Sequence, residues 1–253
     1  MKIAIDASRY NNSDATGVEW YGKHIIEHLL PKFKGEDELI LYSRFPVEGL
    51  DFDGADNRVI YSKRFWTLRA LSKEIKNNPP DILFIPSHVL PLTLAKRSVI
   101  TVHDLAFKRF KKVYSFVQYN YLNWSTKVAV KKAAKIIVPS EVTKEDLIEL
   151  YRCDPAKIEV VPHGFSEPRV VNEDKVLSES EVFQYFEIKK DSKYVFFVGR
   201  LESKKNLVNL VKAFSEFSKS HPEYKLILAG SRGVGFHKII AAVKKLKLID
   251  KVI

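Results

Sequence analysis

Short, nearly unbroken runs of aliphatic and β-branched residues alternate along this chain with segments of helical period. Lys2–Ala7, Glu38–Ser43, Asp81–Pro86, Ser98–Val102 and Lys135–Val138 read as strands. Their apolar runs do not alternate with polar positions, which is the pattern of parallel strands covered on both faces. Between the first two, Val18–Leu30 places Ile25, Ile26, Leu29 and Leu30 on one helical face. Further along come a short strand at Arg58–Tyr61, a helix near Trp66–Lys76 and a long helical stretch over about Ser115–Ala134. Ser140 is the expected N-cap of a helix reaching Tyr151, and Lys157–Val161 is one more strand. Strand–helix alternation with this period narrows the fold to a doubly wound α/β domain.

Residues 166–192 break the rhythm, being polar, partly acidic and without a clear period. They read as a linker or a connecting helix. The βα pattern then restarts: Tyr194–Val198 as a strand, Asn206–Ser220 as a helix, Lys225–Ala229 as a strand and Phe236–Lys247 as a basic helix. Asp250–Ile253 begins a further strand. Two strands with a third starting are too few for a covered sheet, so the second domain is expected to be incomplete.

The chain carries 42 Lys and Arg against 31 Asp and Glu, a net charge of +11 over 253 residues. The excess is concentrated: residues 193–253 hold 13 basic and 4 acidic side chains. Such a bias suits a phosphate, a nucleic acid or an anionic surface as a partner. No recognised nucleic-acid motif accompanies it, and nucleic acid is not expected as a partner. The one cysteine, Cys153, cannot form an internal disulfide, which favours a reducing compartment. No apolar run approaches the roughly 18–20 residues of a membrane span, and MKIAIDAS reaches Asp6 too early for a signal peptide. A cytoplasmic location is expected, with the inner face of a membrane as a peripheral site.

Ligands of open α/β sheets bind at the carboxyl ends of the strands. His103 and Asp104 end the strand of SVITVHD. A histidine there can hydrogen-bond a substrate oxygen or move a proton near neutral pH, or it can simply cap the strand. His88 and His163 are the other histidines near strand ends, and no metal-binding spacing emerges. Gly199-Arg200-Leu201-Glu202-Ser203-Lys204-Lys205 lies between a strand and a helix. Gly199 permits a tight turn, while Arg200 and Lys205 bring full charges that suit a diphosphate. The bland alternative is a solvated basic loop. The Gly230–Gly235 turn has P-loop glycine spacing, but Phe236-His237 stands where Lys-Ser/Thr is required. Gly17 opens the first helix and can bring backbone amides to a phosphate, or serve an ordinary turn. Residues 107–124 interleave seven aromatics with Lys108, Arg109, Lys111 and Lys112, as suits an anionic membrane interface or the packing of a helix onto the sheet.

In order along the chain, TGVEWYGKHIIEHL, TVHDLAF, VPSEVTKEDL, VVPHGF, YVFFVGRLESKKNLVNLVKAF and LILAG resemble the retaining nucleotide-sugar glycosyltransferases of family 4. VGRLESKKN is the strongest member of the set. The resemblance implies a GT-B fold with two Rossmann-like domains. Residues 1–165 would form the complete N-terminal acceptor domain, 166–192 the linker, and 193–253 an incomplete nucleotide-sugar-binding domain. It implies transfer of a hexosyl group from a nucleoside-diphosphate sugar to a glycan or lipid-linked acceptor. The anomeric configuration would be retained, with no obligatory metal and no cofactor beyond the donor substrate. On this pattern His103 and Asp104 are the catalytic candidates, with Asp104 also suited to holding the loop. Gly17, Gly199, Arg200, Lys205 and Gly230 are the donor-binding candidates. Family members continue into a segment with two glutamates separated by seven residues, which has no counterpart here. That departure supports an alternative: a catalytically incomplete binding or scaffold subunit, completed by a partner chain or a missing C-terminus.

Overall fold

A computed structural model of the chain describes residues 1–11, 16–33, 35–50, 54–87, 89–164, 178–186, 188 and 192–253. The chain divides into two compact units, Met1–Phe165 and Ser166–Ile253.

The first unit is built on seven parallel strands: β1 (Lys2–Asp6), β2 (Glu38–Ser43), β3 (Ala55–Val59), β4 (Ile82–Ile85), β5 (Arg97–Thr101), β6 (Lys135–Val138) and β7 (Ile158–Val160). Their spatial order is β3-β2-β1-β4-β5-β6-β7, all pairs parallel. The chain builds outward from β1 to β3, then returns to place β4 on the other side of β1. This makes the β1/β4 boundary the switch point of the sheet, where connections leave in opposite directions and a crevice opens.

The absence of polar alternation in the strands has a direct structural cause. Ile3 and Ile5 of β1 pack with Leu39 and Leu41 of β2 in one apolar cluster. Their neighbours Ala4, Ile40 and Tyr42 belong to a second, larger cluster with Leu83, Ile100 and Ile136. Successive side chains of a strand point to opposite faces, so burial of both faces demands apolar residues at every position. Helix α1 (Gly17–Leu29) contributes Ile26 to the first cluster. Helices α2 (Ser72–Asn77), α4 (Phe116–Lys132) and α5 (Glu141–Tyr151) contribute Ile75, Ala129 and Leu147 to the second. Cys153 sits in that cluster too, only 2% exposed, and burial pushes its thiol up.

Helix ends follow side-chain capping. The Ser115 hydroxyl accepts from the Gln118 N–H at 3.2 Å to start α4, and Ser140 accepts from Thr143 N–H at 3.2 Å to start α5. A short helix α3 (Ala106–Arg109), absent from the sequence expectation, precedes α4. The expected strand at Arg58–Tyr61 lies instead at Ala55–Val59, in register with Leu39–Ser43 of β2. As an edge strand it is bonded on one side only and tolerates the polar ADNRV sequence that hid it. The expected helix near Trp66–Lys76 forms, opening as a wider π-helix over Trp66–Leu71 that runs directly into α2. It buries Trp66, whose indole N–H donates to the Ile60 carbonyl at 2.8 Å.

In the second unit α6 (Glu179–Tyr185) precedes two parallel strands, β8 (Lys193–Val198) and β9 (Tyr224–Ala229). Helices α7 (Leu207–Ser220) and α8 (Phe236–Lys245) pack Leu207, Val211, Phe214, Ile239 and Val243 against Leu226 of the sheet. Val252 bridges to Leu226 in parallel, the Leu226 N–H donating to Lys251 O at 2.8 Å. The opposite sheet face is bare: Tyr194, Phe196 and Val198 are 47%, 55% and 71% exposed. The expected linker falls largely on residues outside those described, apart from α6 and its flanks.

Candidate active site

His103 follows β5 at the carboxyl end of the sheet. Its Nε2 lies 3.0 Å from the carbonyl oxygen of Pro86, which follows β4. A carbonyl only accepts, so Nε2 carries the proton and Nδ1 presents a lone pair when the ring is neutral. Burial pushes the imidazole pKa below its ordinary value, and the Pro86 contact offsets this only in part. The positive charge of Arg9 works in the same direction as burial, and the Asp104 carboxylate opposes it.

Two further rings fix this imidazole. Tyr21 of α1 stands edge-on to His103 with centroids 4.8 Å apart, and its hydroxyl lies 3.2 Å from Oγ1 of buried Thr101. The same tyrosine ring meets His163, which follows β7, at 4.9 Å, and the two imidazoles are 5.6 Å apart. Sequence reasoning singled out neither Tyr21 nor this assembly. Tyr21 sits one helical turn into α1 beside apolar residues, with no local signal of its role. Asp104 points elsewhere: its Oδ1 accepts from the Ala106 N–H at 2.9 Å, fixing the start of α3. His88 lies outside the described residues. Among the described residues no group of three or more His, Cys, Asp or Glu side chains is placed to hold a metal.

Gly17 is the first residue of α1, and a Cβ built there would meet nothing within 4 Å. The glycine therefore leaves open space at a helix N-terminus, rather than satisfying a local steric need. Glu19 in the same turn accepts from the Thr16 N–H at 3.0 Å and from the Thr16 hydroxyl, and pairs with Arg9. Burial pushes this carboxyl up, but the Thr16 and Arg9 contacts outweigh it and hold it below the usual carboxylate range. Asp6, fully buried at the end of β1, has its carboxyl pushed up by burial, although the Ser8 N–H donates to it at 2.9 Å.

In the second unit the loops after β8 and β9 are zipped together. Gly199 N–H donates to Ala229 O at 2.9 Å, Leu201 N–H to Ser231 O at 2.9 Å, and Ser203 N–H to Val234 O at 2.9 Å. Gly199 and Gly230 take φ of +147° and +145°, and a Cβ on Gly230 would lie 2.0 Å from the Gly199 carbonyl oxygen. Both positions therefore require glycine. Arg200 and Lys205 project from this rigid joint, exposed and without an ion-pair partner among the described residues. Asn206, at φ +56°, turns the chain into α7.

The 107–124 stretch splits into two populations. Phe107 is buried, and Tyr114 and Tyr119 pack against the larger core cluster. Arg109 is tied to Asp146 and Glu149. Phe110, Phe116 and Val117 face outward, 64%, 82% and 74% exposed, beside Lys111 and Lys112.

A doubly wound parallel sheet with His103 at its carboxyl edge, followed by a second βα unit with a glycine-jointed basic loop, defines an α/β protein of two Rossmann-like units. Residues 46–167 match the family model described as Glycosyltransferase Family 4, and residues 178–253 match that of Glycosyl transferases group 1. Each of these two stretches thus matches a glycosyltransferase family model, and the chain shares the GT-B fold. It is 27% identical over 194 residues to the O-antigen chain mannosyltransferase RfbU of Salmonella typhimurium, covering 77% of this chain and 48% of that protein. It thus spans about half the length of the curated relative it matches. The fold is shared with WaaG, a glycosyltransferase involved in lipopolysaccharide biosynthesis, at a TM-score of 0.68 and 15% identity, over 99% of this chain and 69% of that one. It is also shared with sucrose-phosphate synthase from Thermosynechococcus elongatus, at a TM-score of 0.65 and 15% identity, over 100% of this chain and 69% of that one. Among the described residues no helix is long and apolar enough to cross a membrane.

Proposed function

We propose that the chain acts in transfer of a hexosyl group, with retention, from a nucleoside-diphosphate sugar to a glycan or lipid-linked acceptor. The observation that carries this reading is the pair of cations Arg200 and Lys205, without an ion-pair partner among the described residues and held on a loop whose path is dictated by Gly199 and Gly230. Departure of a nucleoside diphosphate builds negative charge on its oxygens, and fixed cations stabilise that charge most where they need not reorganise. His103, neutral with Nδ1 as acceptor, is suited to receive a hydrogen bond from a hydroxyl of the transferred sugar. The open helix end at Gly17 suits a phosphate, and Asp104 serves as the strut of the loop that carries His103.

Mannosyl transfer by the Salmonella relative makes mannose the first sugar to examine. A thermal-shift screen of nucleoside-diphosphate sugars on the full chain tests the donor reading. Stabilisation by at least one of them is expected, and its loss in Arg200→Ala/Lys205→Ala ties the effect to the loop. No stabilisation by any nucleoside diphosphate overturns it. The outward Phe110, Phe116 and Val117 with their lysines support docking to an anionic membrane that presents the acceptor.

A second reading draws on the bare sheet face of Tyr194, Phe196 and Val198. A parallel sheet is ordinarily covered on both sides, so this face suits a further polypeptide segment, in cis or from a partner chain. In that reading the chain is a binding or scaffold subunit, catalytically incomplete alone.

A further inference from the structure

On the far side of β1 from β5, a cavity of about 300 Å³ opens at the carboxyl ends of β1 and β2. Arg9 and Asn11 line it after β1, Arg44 and Phe45 after β2, and Glu19 from α1. None of these residues is required by the donor reading. The walls are fastened to one another: Asn11 Nδ2 donates to the Pro46 carbonyl at 2.6 Å, and its Oδ1 accepts from the Glu48 N–H at 3.4 Å. These bonds tie the chain after β1 to the loop after β2.

Its charges do not cancel. Glu19 is matched by Arg9, whereas Arg44 makes no ion pair among the described residues; the nearby Asp6 carboxyl feels its charge, but burial pushes that carboxyl toward its neutral form. The Arg44 guanidinium lies 5.7 Å from the Trp66 ring centroid, a contact that orients it without neutralising it. Beside it Phe45, which also lines the cavity, is 67% exposed. A guanidinium offers parallel N–H donors that match carboxylate or phosphate, and an aromatic face suits the apolar C–H face of a sugar ring.

We propose that this cavity binds an anionic sugar residue, with Arg44 pairing its carboxylate or phosphate and Phe45 stacking on its ring. Calling that sugar part of the acceptor rests on the glycosyl-transfer reading; the binding itself does not. A carboxylate comes from a uronic acid and a phosphate from a phosphorylated sugar, and the probes separate these two sources.

Isothermal titration of the full chain carrying Arg200→Ala and Lys205→Ala, which removes the two cations the donor reading uses, tests this with glucuronate, glucose 6-phosphate, glucose and inorganic phosphate. Saturable binding of glucuronate, glucose 6-phosphate or both is expected, with glucose and inorganic phosphate each at least roughly tenfold weaker. Arg44→Gln lowers the affinity of the charged sugar by roughly tenfold or more, and Arg44→Lys, which keeps charge but loses the fork, falls between. Phe45→Ala brings the charged sugar down to the level of inorganic phosphate. Far-UV circular dichroism shows that each variant folds; should Arg44→Gln not fold, Arg44→Lys and Phe45→Ala carry the test. The proposal is overturned if glucose binds as well as the charged sugars, if the Arg44 variants bind unchanged, or if neither charged sugar saturates below roughly 10 mM. Nucleoside-diphosphate binding by the chain with Arg200 and Lys205 intact reports separately on the donor reading, so either can fail without the other.

Discussion

The Nε2 of His103 reaches across from β5 to the Pro86 carbonyl after β4, 3.0 Å away. One hydrogen bond thereby joins two strand ends, fixes a tautomer and leaves Nδ1 free to accept. Because the ring is also buried, its protonation is resisted.

That resistance predicts a pH dependence with a definite sign. In the unfolded chain His103 protonates near its ordinary value of 6.5, while in the folded chain it protonates lower. The unfolded state then binds more protons, so stability is full above 6.5 and falls as pH drops through it toward the depressed native value. Thermal melts between about pH 7.5 and about 5.5 should show this slope, and His103→Gln should flatten it. An identical slope in the variant would remove His103 as the cause.

Two glycines are expected to respond in opposite ways to alanine. Gly230→Ala forces a Cβ to 2.0 Å from the Gly199 carbonyl at a φ reserved for glycine, and should cost at least about 3 kcal/mol in denaturant melts. Gly17→Ala meets no atom and begins a helix, so stability should hold or rise by up to about 1 kcal/mol. Calorimetric titration with a nucleoside diphosphate should nonetheless show weaker binding in Gly17→Ala. Unchanged affinity would make Gly17 an ordinary helix start.

Arg200→Ala and Lys205→Ala should each weaken nucleoside-diphosphate binding by about 1.5–3 kcal/mol, roughly ten- to hundredfold. Both side chains are exposed, so the melting temperature should stay unchanged. Titration and melting curves measured on the same preparations check the two halves of this statement.

Phe116→Ser removes the most exposed aromatic of the outward patch. In liposome flotation with anionic vesicles at low salt, the loss should be about 1.5–3 kcal/mol of membrane affinity. Raising the salt should weaken the parent as well, because Lys111 and Lys112 act through screened charge. Absence of flotation by the parent at low salt rules out membrane docking through this patch.

Sequence pattern carried the parallel strands because two-faced burial writes itself into consecutive residues such as Ile3, Ala4 and Ile5. It misplaced the ends of β3, where a polar edge strand has no apolar run to mark them, and it gave the helix over Trp66–Lys76 without its π-type opening at Trp66–Leu71. His103 was visible as a polar residue closing an apolar strand. Its tautomer was not, since Pro86 comes from another strand end, 17 residues away. Tyr21 was hidden for the same reason: its partners His103, Thr101 and His163 meet it only once the sheet has formed. Arg44 gave no signal either, because what distinguishes it is that it makes no ion pair among the described residues, which spacing along a chain does not encode.

Cys153 is the single sulfhydryl of the chain, shut inside the larger apolar cluster of the first unit. An alkylating reagent can reach it only when that cluster opens, and its raised pKa keeps it inert until then. The second unit contains no cysteine, so its own openings leave no mark. Labelling kinetics in the native protein therefore time the breathing of one half of the molecule by chemistry alone. Set against global melts, they separate two stabilities that a single unfolding curve would merge.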